Sequence, residues 1–230
     1  MTGTTVISVG GSIVVPDGVD VEFVKRFVSS LRARLERRPE AKLALVIGGG
    51  STARTYQRSA KELASNADGD TLDEIGIAAT RLNAHVIRTA FGSLCQDPVF
   101  TDPTRVRSIA GRVLVGGGWK PGFSTDNVTV HLAEALGADT LVNLSNIRQI
   151  YTADPKIDPD ATPLDTVSWD ELRRIVGDEW LPGANTPFDP VATRRAAELG
   201  MIVIVADGRD LANLEALLDG RAFVGTTIRP

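Results

Sequence analysis

Lys42–Thr52 reads KLALVIGGGST: one lysine, five consecutive apolar residues, three glycines and a pair of hydroxyl residues. An unbroken apolar run of that length suits a strand covered on both faces, as in a parallel sheet. The glycines end the strand, and the stretch from about 52 to 64 then carries a helical pattern. Strand, glycine turn and helix form the repeating unit of an α/β fold.

The rest of the chain repeats that unit. Similar apolar runs occur at TVISV (5–9), RVLV (112–115), DTLVNL (139–144) and MIVIV (201–205). Between them lie amphipathic stretches. In 20–37 the residues Val21, Val24, Phe27, Val28, Leu31 and Leu35 recur at three- and four-residue steps, which places them on one helix face. Comparable patterns occupy about 72–90, 125–136, 189–199 and 210–219. The expectation is a single α/β domain with helices on both sheet faces, since no linker, low-complexity tract or repeat divides the chain. Segment 92–111, with two Asp-Pro pairs, reads as a loop or small excursion, and 152–166, rich in Asp and Pro, as a long surface loop.

Bulk properties restrict the function classes. The 230 residues are 43% hydrophobic and 23% charged, with a net charge of -4, an ordinary globular composition that argues against a nucleic-acid surface. The densest basic stretch, RARLERR at 32–38, reads as the solvated face of a helix. One cysteine, Cys95, cannot form an internal disulfide. No charged and apolar leader precedes the first strand and no membrane span is visible, so a cytoplasmic protein is expected.

Three strands end in related turns: Gly10-Gly11-Ser12, Gly48-Gly49-Gly50-Ser51-Thr52 and Gly116-Gly117-Gly118. In open α/β sheets, ligands sit outside the carboxyl ends of the strands. Glycine permits close backbone approach, and helix N-termini offer unpaired N–H groups to anions. Three such turns point to a phosphate-rich ligand. Neither G-x-x-x-x-G-K-[ST] nor a G-x-G-x-x-G with a suitable acidic follower is present, so a P-loop is excluded and a dinucleotide fold is unsupported. What remains is a site holding donor and acceptor phosphates between opposing glycine turns.

In order, SVGGSIVVP, VIGGGSTAR, DEIGIAATRLNA, GGGWKPGFSTD, NIRQIYTADPK, PFDPVA and GTTI resemble the amino acid kinase superfamily, and within it the archaeal-type UMP kinases. The resemblance spans essentially the whole chain. It implies a three-layer α/β/α sandwich around a mostly parallel sheet, a homohexamer, and transfer of the ATP γ-phosphoryl to UMP with Mg²⁺ in pyrimidine nucleotide biosynthesis. About 1–136 would bind the acceptor and about 137–230 the donor. Such transfer relies on positioning and charge neutralisation rather than on a protein nucleophile. Gly10, Gly11 and Ser12 would surround the transferring phosphoryl. Gly49 would face the acceptor and Gly50 the donor, and Arg54 can fork onto phosphate oxygens. The resemblance implies UMP contacts from Asp73, on the ribose diol, and from Lys120, Pro121, Gly122, Phe123, Ser124, Thr125 and Asp126. Asp126 either stabilises the start of its helix or orients Mg²⁺ through water; no direct protein metal ligand is expected. Asn83 is either a further site position or a helix-packing amide. For ATP, Ser145 and Asn146 would close the donor strand, Tyr151 would face adenine, Asp154 would accept from base or ribose, and Arg194 would touch phosphate.

His85 and His131 read as packing or surface residues. Trp119, Trp169 and Trp180 are too scattered for a stacking platform, although Trp119 could pack against the nucleoside. Two features depart from the family. Arg148-Gln149 stands where relatives carry Asp-Gly, a turn that Gln149 would enter at a conformational cost, and Arg148 would either reach ATP phosphates or face water. Arg194 replaces a common lysine, and its planar fork is not a point charge. Two other readings follow: a kinase for another acceptor (a different nucleotide, an isoprenyl phosphate or a carboxylate) and a non-catalytic nucleotide-binding or oxyanion-storing relative.

Overall fold

In the computed structural model, which describes residues 3–176 and 186–230, the apolar runs form the strands expected of them. β1 (Thr4–Val9) leads through the single-turn helix α1 (Gly11–Val14) into α2 (Val21–Arg37), β2 (Lys42–Ile47), α3 (Gly50–Leu63) and α4 (Gly69–Phe91). β3 (Val113–Gly116), α5 (Thr125–Ala135) and β4 (Thr140–Ser145) follow. The second half adds β5 (Ile150–Tyr151), β6 (Pro163–Leu164), β7 (Thr166–Ser168), α6 (Trp169–Val176), α7 (Pro190–Glu198), β8 (Ile202–Asp207), α8 (Leu211–Leu218) and β9 (Thr226–Arg229). Among the described residues six α-helices start on a side-chain cap: Asp20, Asp68, Ser124, Ser168, Asp189 and Asp210 accept from backbone N–H groups three residues on, satisfying donors that a helix start leaves open.

The seven-stranded sheet has the order β3-β2-β1-β4-β8-β9-β7. Neighbours pair in parallel except for β8 and β9, which are antiparallel. Alternate residues of each strand serve opposite layers. Ile7, Val9, Leu43, Leu45, Val142 and Leu144 join a core with Phe23, Phe27, Leu31, Ile87 and Leu217, from α2, α4 and α8. Val6, Ala44, Val46, Leu141, Val203 and Ile228 join a second core with Val128, Leu132, Leu172 and Ala192, from α5, α6 and α7. This is the expected three-layer α/β/α sandwich. From β1 the chain builds outward to β2 and β3, then returns to place β4 on the other side of β1. That reversal is a topological switch point, where open α/β sheets open a crevice at the strand ends.

Several expectations change. The segment 152–166 is not purely a loop, because β6 folds back on β5 with Ile150 opposite Leu164. Segment 92–111 is an excursion holding two short 3₁₀ turns, Gly92–Leu94 and Pro103–Arg105. RARLERR is a solvated face only in part: Glu36, Arg37 and Arg38 are exposed, but Arg34 and Leu35 are buried. The Arg34 side chain is 2% exposed and reaches Asp219 at 2.6 Å. Arg32 donates to the carbonyls of Ala90 and Phe91, and Arg37 pairs with Glu215. These arginines tie α2 to the end of α4 and to α8, so a local charge pattern was read without its long-range partners. Trp169 is core, its indole N–H donating to the Met201 carbonyl at 3.2 Å. Trp180 lies outside the described residues. Among the described residues no helix is long and apolar enough to cross a membrane.

Candidate active site

The first two glycine turns meet backbone to backbone at the switch point. Gly10 N–H donates to the Leu144 carbonyl at the tip of β4, and Gly48 N–H to the Val9 carbonyl at the tip of β1. A Cβ on Gly11 would lie 2.0 Å from the Gly50 nitrogen, and Gly50 has φ +59°. Only glycine allows this approach on one side and this backbone conformation on the other. Gly10, Gly11, Ser12, Gly49 and Gly50 are therefore gathered at one place. Ser145 stands beside them: a Cβ on Gly10 would be 3.9 Å from its Cα.

The third turn works differently. A Cβ on Gly116 would enter the Phe100 ring, and those on Gly117 and Gly118 would meet Thr80. These glycines let β3 and its loop press against neighbouring side chains, above all on α4, so close packing accounts for them without an anion. Thr80 Oγ1 accepts from Gly118 N–H at 2.6 Å, while Arg81 donates to the carbonyls of Gly118 and Trp119.

The loop that follows carries the proposed acceptor residues. Asp73, on α4, accepts from Gly122 N–H at 2.7 Å, where Gly122 turns with φ +78°. Asp73 is thus brought to Lys120, Pro121, Gly122 and Phe123, and one of its oxygens holds the loop itself. Lys120 Nζ lies 4.2 Å from the Trp119 ring centre and 4.6 Å from that of Phe123, a cation–π arrangement. Trp119 also meets Phe123 and His131 edge-on, at 4.9 and 5.4 Å, so it packs within its own loop and helix. Ser124 caps α5, and Thr125 and Asp126 form its first turn.

Asp126 does more than stabilise that helix start. Its two oxygens accept from the Ser8 hydroxyl of β1 at 3.0 Å and from the backbone N–H of Asp189 at 3.2 Å. One carboxylate thereby joins β1, α5 and the start of α7. Burial, and secondarily the charge of Asp189, push its pKa up to about 6. Burial likewise raises the Asp189 pKa. Opposite Ser8 in the sheet register stands Asn143 of β4, which donates to the Pro187 carbonyl at 3.3 Å. Ser8, Asn143 and Asp189 are all buried. Sequence reasoning assigned them no role, although Ser8 and Asp189 lie within the quoted SVGGS and PFDPVA stretches; a polar residue in a strand otherwise apolar was the available signal. Among the described residues, no group of three or more His, Cys, Asp or Glu side chains is arranged as a metal cage.

On the proposed donor side, Ser145 ends β4, accepts from Gly208 N–H through its carbonyl, and has Asn146 exposed beside it. Tyr151 lies in β5 against Pro163. Asp154 Oδ1 accepts from Lys156 N–H at 2.9 Å, so its carboxylate shapes its own turn. Arg194 is exposed on α7. Gln149 does not pay the expected conformational cost: among the described residues, every positive φ belongs to glycine. Its amide instead donates to Asp165 at 2.8 Å and to the Gly225 carbonyl at 3.3 Å, anchoring the turn to β7 and β9. Arg148 is exposed. Arg54, one turn into α3, is exposed and donates to the Pro16 carbonyl at 3.1 Å, beside the loop that follows α1.

Comparison with known proteins bears on the chain as a whole. A protein from Methanospirillum hungatei named uridylate kinase is 40% identical over 98% of this chain and 94% of its own length. Another of that name, from Pyrococcus abyssi, is 35% identical over 98% of this chain and 99% of its own. The crystal structure of uridylate kinase from Archaeoglobus fulgidus superimposes with a TM-score of 0.83 at 33% identity, covering 99% of this chain and all of that one. The sequence model of the amino acid kinase family matches residues 3–207, and the chain belongs to that family.

Proposed function

We propose that this protein is a UMP kinase that transfers the γ-phosphoryl of ATP to UMP. The observation that carries the reading is the junction of the first two glycine turns at the switch point, beside the end of β4. It gathers backbone donors where two phosphate-bearing substrates would meet, and relatives 35–40% identical over nearly their full length carry the name uridylate kinase. In this reading Gly10, Gly11, Ser12 and Arg54 surround the transferring phosphoryl. Gly49, Asp73 and the loop Lys120–Asp126 receive UMP, which must displace or share the Asp73–Gly122 contact. Gly50, Ser145, Asn146, Tyr151, Asp154 and Arg194 receive ATP. About 1–136 then forms the acceptor part and about 137–230 the donor part.

The residues fit a magnesium ion carried mainly by substrate. Mg²⁺ commonly takes one or two carboxylates together with phosphate oxygens and waters, and Asp126, held between Ser8 of β1 and the start of α7, would orient it through water. Bound there, it would neutralise phosphate charge. The chain's own part is positional: the glycine turns align the two phosphates and Arg54 offsets their repulsion.

We further infer a cytoplasmic enzyme of pyrimidine nucleotide synthesis that assembles as a homohexamer. An apolar groove between α2 and α4, lined by Val21, Val24, Val28, Val86 and Ala90 and outside the proposed substrate residues, supports self-association. The deciding experiment is a coupled assay with ATP, Mg²⁺ and a panel of UMP, CMP, AMP and isopentenyl phosphate. UMP should be the preferred acceptor. No turnover with any acceptor despite ATP binding would refute a kinase; preference for another acceptor would refute only the substrate.

A further inference from the structure

We propose that Asn83 is a positioning residue for phosphoryl transfer, aiming the amides of the second glycine turn into the junction; this rests on the kinase reading above. Asn83 is 2% exposed on α4, so it presents almost no surface to a substrate, and its amide is turned to the protein's own backbone. Its Nδ2 lies 2.9 Å from both the Gly48 and the Gly49 carbonyl oxygens. With two carbonyls as neighbours, only the NH₂ end of the amide can face them.

The consequence follows from peptide geometry. In a trans peptide, the carbonyl and the next N–H point in opposite directions, and no described peptide is cis. Holding the Gly48 oxygen against α4 therefore turns the Gly49 N–H away from it. Holding the Gly49 oxygen does the same for the Gly50 N–H. The side away from α4 is the side of the first turn, since the Gly50 nitrogen abuts the Gly11 backbone. One buried amide thus fixes two consecutive peptide planes with donors toward the substrates and acceptors away from them. The Gly49 carbonyl also accepts from Ala53 N–H, so losing Asn83 would release chiefly the Gly48 peptide, whose oxygen could then rotate toward the phosphates. Fixed dipoles of this kind help only if they do not reorganise during the reaction. Thr80 and Arg81, on the same helix, hold the loop at Gly118 and Trp119, so α4 acts as a common rail for both turns.

The test compares Asn83→Leu, which keeps the volume and removes both donors, with Asn83→Asp and with the core control Ile87→Val. Measurements are kcat, KM for UMP and ATP, and thermal stability. At metal sites, loss of a partner that orients a ligand typically costs about 10–100-fold in activity, and the same scale is taken for an orienting partner of the glycine turn. We expect that loss in kcat for both Asn83 variants, with each KM changed less than about threefold and Ile87→Val near wild type. A kcat for Asn83→Leu within twofold of the control would overturn the role of Asn83 while leaving the kinase reading intact. Wild-type protein without turnover would refute the kinase reading and the role together. Should the variants not fold, ¹⁵N amide shifts of Gly49 and Gly50 in wild-type protein, titrated with UMP and a non-hydrolysable ATP analogue, decide the matter. Movement of both amides supports the proposal, and unmoved amides overturn it.

Discussion

Arg54 and Asp126 show how single residues gain or lose a role through their surroundings. Arg54 is exposed and tethered by one N–H to the Pro16 carbonyl, which leads its guanidinium from α3 toward the loop after the first glycine turn. If it stabilises the transferring phosphoryl, Arg54→Ala should lower kcat/KM by at least ~10²-fold, about 2.7 kcal/mol, measured under saturating Mg²⁺; a near-wild-type rate would remove it from the site. Asp126 makes a prediction in pH. Its pKa is raised to about 6, so the native state holds a proton where the unfolded chain, with an ordinary carboxylate pKa near ~4, has lost it. This group's contribution to stability therefore falls as pH rises from about 4 to 6. Activity that needs the ionised carboxylate moves the other way. The kcat/KM of the wild type should drop below about pH 6, and Asp126→Asn should lack that limb. Because Asp189 is adjacent, the apparent value belongs to the pair.

At the scale of elements, the decisive contact is between two turns rather than between side chains. Gly11→Ala would drive a methyl to 2.0 Å from the Gly50 nitrogen, against backbone that cannot move without opening the junction. Overpacking of this kind costs about 1–3 kcal/mol, or ~2–12 °C in Tm for a chain of this size. Turnover should fall further than stability does. Gly69→Ala is the matched control: at the start of α4 an added Cβ meets nothing within 4 Å, so melting temperature and rate should both stay near wild type. The two glycine positions look alike in composition and differ only in what crosses above them.

On the scale of the whole molecule, the sheet order places the N-terminal and C-terminal halves side by side through β1 and β4, and the Ser8–Asp126–Asp189 contacts bind them beneath the strand tips. The outer surface carries a second message. Val21, Leu82 and Val86 are 54%, 58% and 37% exposed, in or near the α2–α4 groove. If a second copy of the chain covers this face, Leu82→Glu combined with Val86→Glu should lower the mass measured by light scattering. A particle of unchanged mass would put the assembly contact elsewhere.

The α/β class, the main strands and the larger helices were legible because continuous apolar runs and three-to-four-residue periodicity are local properties of the chain. The first two glycine turns were legible for the same reason, since each lies directly after such a run. The short elements β5, β6, β7 and β9 were not, because they are too short or too polar to make the continuous apolar run that marks even the four-residue β3, and their pairing comes from partners distant in sequence. The same distance hid the burial of Arg34, the anchoring of Gln149 and the cluster of Ser8, Asn143 and Asp189. It also left Asn83 open between a site position and a packing amide. Sequence alone determined which apolar runs become the central strands and that glycine turns end three of them. Only the tertiary structure decided that two of the glycine turns interlock while the third serves packing, because that depends on which backbones the sheet order brings within contact.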